Sequence, residues 1–441
     1  MSTPAHALDS YRAAFEQRVQ QTRESAALAQ QRQQAWAAFA ATGFPNTRDE
    51  DWKYTNLRRL LRRKFSAPAD NPDEIEADAL AGQIVEMPHA SRLVFVDGVF
   101  SPHLSSTPSD HAVSLATTLR NEEQPEKTLF DNVIDIGQHR FAALNTALFT
   151  DGAVVNVAPN QKQPTVVYLV FVSRENGHGV AVHPRVQVNV GNASALQLVE
   201  HHISLGAADN FVNSICEIDL GDGARVEHIR LQDEAETGFS IAGLHVRQAR
   251  DSEFVSHNYC LGGALARNDV VVLLEEPGAH CTLNGLFMVR GSQHVDNHVR
   301  IDHLAMHTQS EQNYRGVADG RARGVYNGKV VVHVGADKTD AIQSSKNLLL
   351  SDQAEIDTKP ELEIYADDVK CRHGATVGQL DADALFYLRS RGIDLETARA
   401  LLTYAFAEDV VVKAGVDAVR DLLDTRILGL LPAQDIIREF V

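Results

Sequence analysis

Hydrophobic and polar positions divide the chain into stretches of different period. Over 8–42, Gln, Ala and Arg dominate and no Gly or Pro occurs before Gly43. This predicts one long helix, stopped by Gly43-Phe44-Pro45. The Leu- and Arg-rich stretch 49–65 predicts a second helix, and 66–88, with its Pro, Asp and Asn, a linker. From 91 to 377 the pattern changes to short β-branched runs punctuated by Gly, Asp and Asn. The run 166–172 is apolar throughout, as in a buried strand, whereas Val186, Val188 and Val190 alternate with polar residues, as in a strand buried on one face. The stretch 128–149 is open between helix and loop.

Turn signals recur at Gly191-Asn192, Gly221-Asp222-Gly223, Arg250-Asp251, Pro277-Gly278, Asp319-Gly320, Gly335-Ala336, Ser351-Asp352 and Asp367-Asp368. The early intervals are about 28–30 residues, one is about 42, and the last three are about 15–17, so a unit near 15 fits them all. That unit is a strand plus a turn, two per coil. Stacked coils bury a continuous core because each covers its neighbour's apolar face. A sandwich would turn every 8–12 residues, so the pattern favours a β-helix. After Gln379 the period is helical again. Asp381 and Asp394 can each cap a helix, and Leu395, Ala398, Leu401, Leu402, Ala405 and Phe406 fall on one face of the second. A last amphipathic segment covers 417–431. These helices are too few for a large independent domain, so they pack on the end of the β region or offer a face to a partner.

Composition narrows the function classes. Of 441 residues 44% are apolar, enough for a large core. With 41 basic and 59 acidic residues the charge is −18, which argues against nucleic acid or an anionic membrane as partner. The local run of Arg58, Arg59, Arg62, Arg63 and Lys64 reads as a solvated face. No stretch is long and apolar enough for a membrane span. Met1-Ser2-Thr3-Pro4 does not begin a signal peptide, so a cytoplasmic setting with reduced thiols is expected.

Phosphate-binding and hydrolytic motifs are missing. Gly324-Val325-Tyr326-Asn327-Gly328-Lys329-Val330 is one residue short of a P-loop and lacks its magnesium-holding hydroxyl, so no ATP site of its own is expected. The four cysteines, Cys216, Cys260, Cys281 and Cys371, form no C-x-x-C pair. Cys371 and His373 share a strand face with Val369, while Lys370 and Arg372 take the other. A thiolate and an imidazole suit iron or an iron–sulfur cluster. Two ligands cannot complete a four-ligand shell, so the remainder must come from elsewhere in the chain or from a second subunit. His257 with Cys260, and His280 with Cys281, are poorly arranged for chelation on strands, and His294 and His298 are not brought together by strand spacing. The acidic stretch Asp352, Glu355, Asp357, Glu361 and Glu363 leaves an alternative open: a β-helix enzyme acting on polysaccharide through paired carboxylates.

The runs Lys338-Thr339-Asp340-Ala341, Asn347-Leu348-Leu349-Leu350-Ser351 and Ile356-Asp357-Thr358-Lys359-Pro360-Glu361-Leu362-Glu363-Ile364 resemble the SufB/SufD family of iron–sulfur cluster assembly scaffolds. So do Asp367-Asp368-Val369-Lys370-Cys371-Arg372-His373-Gly374-Ala375-Thr376-Val377-Gly378, Leu385-Phe386-Tyr387-Leu388-Arg389-Ser390-Arg391-Gly392-Ile393, and Glu50-Asp51-Trp52-Lys53-Tyr54-Thr55. The close match covers about 100 residues, 315–409. The cysteine-bearing run is of the SufD-branch type, with Arg372 where that branch has serine.

The resemblance implies a mainly β fold: a right-handed parallel β-helix (86–380) between an N-terminal helical domain and linker (1–85) and a C-terminal helical domain (381–441). It implies a non-catalytic scaffold subunit of an ATPase-containing complex. The β-helix would pair with a SufB-like subunit. The C-terminal helices would dock a SufC-like ATPase, with Leu385, Tyr387, Leu388, Arg391, Leu402 and Phe406 as contact candidates. A cysteine desulfurase system would supply sulfur indirectly. Cys371 and His373 would lie at the subunit interface as ligand candidates for a nascent cluster or iron, held transiently and shared with the partner. A flavin in the complex and a homodimer of the isolated chain are left open.

Overall fold

A computed structural model describes residues 5–21, 24–69, 75–108, 110–121, 134–161, 163–175, 179–432 and 434–438. Two ten-stranded sheets face each other. One contains β1 (Ser91–Val96), β2 (Val99–Phe100), β5 (Thr165–Arg174), β8 (Ala195–Leu205), β10 (Arg225–Asp233), β12 (Glu253–Cys260), β14 (His280–Val289), β16 (Gln309–Ala318), β18 (Asp340–Leu349) and β20 (Lys370–Gly378). The other contains β3 (Ala112–Ser114), β4 (Gly152–Val157), β6 (Ala181–Val182), β7 (Arg185–Val190), β9 (Phe211–Leu220), β11 (Phe239–Gln248), β13 (Leu265–Leu274), β15 (His294–His303), β17 (Arg323–Val332) and β19 (Glu355–Ile364). From β7 onward consecutive strands alternate between the sheets, and apart from β1 with β2 and β3 with β4 the pairings are parallel. This is a parallel β-helix with two strands per coil, as the turn spacing predicts. Arg225 pairs with Glu253, Glu253 with His280, His280 with Gln309, Gln309 with Asp340 and Asp340 with Lys370, steps of 28, 27, 29, 31 and 30 residues.

Alternate side chains fill the space between the sheets. Val186, Val188, Leu198, Cys216, Ile218, Val226, Leu244, Phe254, Val270, Cys281, Leu283, Val299, Tyr314, Tyr326 and Ala341 belong to one continuous core. The opposite strand faces are covered as well. On one sheet Tyr168, Val199, Ile229, Leu231, Tyr259, Leu286, Met288 and Val317 pack under Tyr404, Ala407, Val410, Val411, Leu423 and Ile427 of the C-terminal helices. On the other, Phe211, Phe239, Ile241 and Leu265 pack under Tyr11, Phe15, Phe39, Phe44, Trp52 and Leu60. Parallel sheets are normally sheathed on both faces in this way. It explains why 166–172 is apolar throughout. It also corrects the one-sided reading of β7, whose Arg185 and Gln187 are buried too.

The helical ends differ from the sequence reading in three respects. The helix expected over 8–42 is two, Ala5–Gln21 and Ala26–Thr42, because the Ser25 hydroxyl accepts the Leu28 amide and starts a new helix. The helix expected over 49–65 is a 3₁₀ turn, Glu50–Trp52, and four helical residues, Arg58–Leu61, with Arg58, Arg59, Arg62, Arg63 and Lys64 exposed as expected of a solvated face. The C-terminal helices Leu395–Val411 and Asp417–Leu430 lie along the side of the sheet, not on its end. Within 128–149, Arg140–Leu148 is helical, while 128–133 fall outside the described residues.

Candidate functional site

The last coil, β19 and β20, ends the stack, and no strand of either sheet pairs beyond it among the described residues. Pro360 in β19 suits such an edge, since proline cannot serve a central ladder. On β20, Cys371 stands over Ala341 and His373 over Gln343. Ala341 belongs to the inward-facing core, so Cys371 and His373 continue the inward face onto the uncovered end. Cys371 packs against that core and is half-buried, whereas His373 is exposed. The two share one face, as strand alternation predicts, and Arg372 takes the other.

Gln343, directly beneath His373, is buried to 2% exposure, and neither polar atom of its amide has a hydrogen-bond partner. An unpaired buried amide is costly unless a further group satisfies it. Burial, followed by the nearby Asp340 carboxylate, pushes the Cys371 thiol above its ordinary value. At neutral pH Cys371 is therefore held as the thiol.

Other sequence candidates resolve differently. Cys281 is sealed in the core, and Cys260 is buried, with the Asn268 amide donating to its sulfur at 3.1 Å. His257 stacks on Tyr259, ring centroids 6.3 Å apart, on the face opposite Cys260. His294 and His298 flank Asp296: His298 Nε2 lies 3.2 Å from that carboxylate, and His294 Nε2 is 2.8 Å from the Thr55 hydroxyl. The site they form is a clamp. Arg267, fully buried, donates to Asp296 at 2.6 Å and to the Asp51 carbonyl at 2.8 Å, and its guanidinium lies 3.8 Å over the Trp52 ring. The run 50–55 thus fastens the N-terminal segment to the coils. The acidic stretch is also engaged: Arg323 holds Asp357 at 2.6 Å, Lys329 holds Glu363 at 2.6 Å and Lys359 holds Glu361 at 2.6 Å. Asp357, Glu363 and Glu361 thus each have a basic partner at a neighbouring position.

The helix Ala382–Ser390 has no buried residue, and Phe386 and Tyr387 are 74% and 56% exposed. Arg391 stacks on Tyr387 at 5.0 Å, and Leu385 and Leu388 are half-buried. In Leu395–Val411 the buried face is Thr397, Ala398, Ala400, Thr403, Tyr404, Ala407, Val410 and Val411. This differs from the leucine-based stripe expected from sequence: Leu395 and Ala405 are exposed and Leu402 is half-buried. Small residues set the face because they let the helix approach the sheet closely. Phe406 turns toward the coil, with the Arg315 guanidinium 4.6 Å over its ring and Arg315 paired to Asp409.

Sequence reasoning missed one cluster. Glu200 of β8, Cys216 of β9 and His228 of β10 point into the lumen, with one ligand-type atom from each within 4.8 Å of the others. Only the coil register brings positions 200, 216 and 228 together.

Several buried histidines make the fold acid-sensitive. Burial pulls His257 and His303 from 6.5 to about 4 and His183 to about 3. Their folded values lie below their unfolded ones, so their contribution is complete above about pH 6.5 and is lost as pH falls toward 4 and 3. His257 and His303 each carry on the order of 3 kcal/mol by proton linkage. The unfolding midpoint is therefore expected to be level from pH 8 to about 6.5 and to fall below it; a flat midpoint down to about pH 5 would contradict this.

The family model for the SUF system FeS cluster assembly SufBD core domain matches residues 171–406, and that for the SufBD protein N-terminal region matches residues 5–168. An iron–sulfur cluster assembly SufBD family protein of Synechocystis is 34% identical over 401 residues, 88% of either chain. The iron–sulfur cluster assembly protein SufD of Escherichia coli is 30% identical over 408 residues, 91% of this chain and 93% of its own. The chloroplastic protein ABCI7 of Arabidopsis thaliana is 29% identical over 406 residues, 89% of this chain and 83% of its own. Family models that together span nearly all of the chain, and relatives aligned over most of it, agree with the two-sheet coil and its helical ends: the chain belongs to the SufBD family of iron–sulfur cluster assembly proteins.

Proposed function

We propose that this chain is the SufD-type subunit of a cluster-assembly complex, and that the open end of its β-helix is the face a SufB-like subunit meets. His373 and Cys371 then supply an imidazole nitrogen and a thiolate to iron or a nascent cluster, which is cargo and not a resident cofactor. The observation that carries this is the placement of both side chains on the uncovered terminal coil. There an unpaired strand edge invites a partner, and a two-residue donor set needs the partner to complete it. The unpaired Gln343 amide beneath His373 supports the same reading, because a polar species seated at that end would satisfy it.

The exposed helix Ala382–Ser390 and the start of Leu395–Val411 serve as the docking face for a SufC-like ATPase, with Leu385, Tyr387, Leu388, Arg391 and Leu402 as its contacts. Phe406 lies under Arg315 and links that face to β16. ATP-driven movement of the ATPase would reach the coils through this packing. A rigid stack transmits displacement to its end instead of absorbing it.

Amide hydrogen exchange on the full chain tests both docking surfaces. A SufB-like subunit is expected to protect β20, and a SufC-like ATPase to protect 382–402; protection of the opposite end of the coil alone would overturn the assignment. Tyr387→Ala is expected to weaken ATPase binding by about 2 kcal/mol, as for an interface hot spot, and to shift the chain's own stability by no more than about 0.5 kcal/mol. Pull-down and thermal unfolding of the same variant check the pair of effects.

A further inference from the structure

In the lumen cluster of Glu200, Cys216 and His228, β8 and β10 lie six and five strands from β20 in their sheet and β9 belongs to the opposite sheet, so the cluster takes no part in the proposed interface. All three side chains are at most 4% exposed. They line a cavity of about 20 Å³ together with Ser214, Arg230 and Ser256, room for one water or one ion. His228 Nε2 lies 2.8 Å from Glu200 Oε1, and its Nδ1 lies 3.0 Å from the Ser256 hydroxyl. The second ring nitrogen is therefore held by an outer partner, the arrangement that orients a metal-ligating imidazole. The Arg230 guanidinium, which also lines the cavity, donates to the Asn268 side-chain oxygen at 3.0 Å.

We propose that Glu200, Cys216 and His228 form a resident divalent-metal site of the zinc class inside the β-helix. Tetrahedral zinc with bonds of about 2.0–2.3 Å keeps its ligand atoms roughly 3–4 Å apart, close to the spread of this cluster. Carboxylate, thiolate and imidazole are the donors such an ion takes. One thiolate and one carboxylate balance its two charges. On binding, the Cys216 S–H gives its proton to solvent and the sulfur takes the metal. The His228 proton moves to Nδ1, which then donates to the Ser256 oxygen, leaving Nε2 for the metal. One proton is released per ion. Because the site is sealed by the coils, the ion enters during folding and staples β8, β9 and β10 together.

The test is refolding of the full chain under reducing conditions with Zn²⁺ or Co²⁺, followed by removal of unbound metal. The wild-type chain is expected to keep one ion per chain, to show the sulfur-to-cobalt charge-transfer band and to unfold at a higher temperature than the metal-free chain. Cys216→Ser should lose the band. Ser256→Ala, which removes no ligand and only a small hydroxyl, should bind about 10–100-fold more weakly. A double variant, Cys371→Ser with His373→Ala, should keep the ion, which separates this site from the one at the open end. A metal-free wild-type chain overturns the proposal. So does a band that survives Cys216→Ser, or unchanged affinity in folded Ser256→Ala.

Discussion

Alanine at position 373 is expected to lower cluster assembly by the reconstituted complex by about 10-fold or more. Loss of even an outer-shell partner costs about 10–100-fold in metal affinity, and loss of a ligand costs at least as much. His373 is exposed on an edge strand, so the same change is expected to leave the chain's stability within about 0.5 kcal/mol. Cys371→Ser should act in the same direction. Arg372→Ser should not, because strand alternation turns Arg372 from the face that the other two share. Iron and sulfide retained by the purified complex measure all three. Wild-type retention in His373→Ala would reduce the chain to an architectural subunit.

A second large effect is expected far from that end. Arg267→Ala leaves Asp296 fully buried without its guanidinium partner and removes the stack on Trp52. Breaking a buried pair from one side costs about 3–5 kcal/mol. The N-terminal segment should loosen as well, since Arg267 also holds the Asp51 carbonyl. The double change Arg267→Met with Asp296→Asn should cost less than Arg267→Ala alone, because no unpaired charge then stays buried. Denaturant unfolding gives the energies, and limited proteolysis of residues 24–65 reports the loosening. A loss under about 1 kcal/mol for Arg267→Ala would mean that the clamp does not hold the N-terminal segment.

The coil was legible because it repeats. Each turn must place its Gly, Asp or Asn where the strand changes sheet, so spacing alone announced two strands per coil. The ends were less legible because tertiary contacts set them. Within the Gln- and Ala-rich stretch 8–42 the second helix starts at Ser25, whose capping oxygen competes with continuation of the first. The stretch 49–65 has helix-forming composition, yet Trp52 and Thr55 are committed to Arg267, His294 and Asp296 on the coils. In Leu395–Val411 the leucines suggested one face, and alanines with Tyr404 supply another.

At the site, the pair at 371 and 373 was readable from strand alternation, because both residues lie on one strand. The lumen cluster of Glu200, Cys216 and His228 was not. Its members lie on three strands, and only the register between coils makes them neighbours. The same holds for Gln343, whose place beneath His373 comes from a partner strand 30 residues away (373 − 343). Local period reports which way a side chain points; contacts between coils need the pairing.

The central claim concerns the nitrogen of a single side chain. Iron bound by the complex of this chain with a SufB-like subunit can be examined by pulsed electron paramagnetic resonance, with histidine isotopically labelled at nitrogen in this chain alone. The account predicts a hyperfine coupling to a labelled nitrogen that disappears in His373→Ala. Iron that shows no such coupling, or a coupling that persists in the variant, would contradict it.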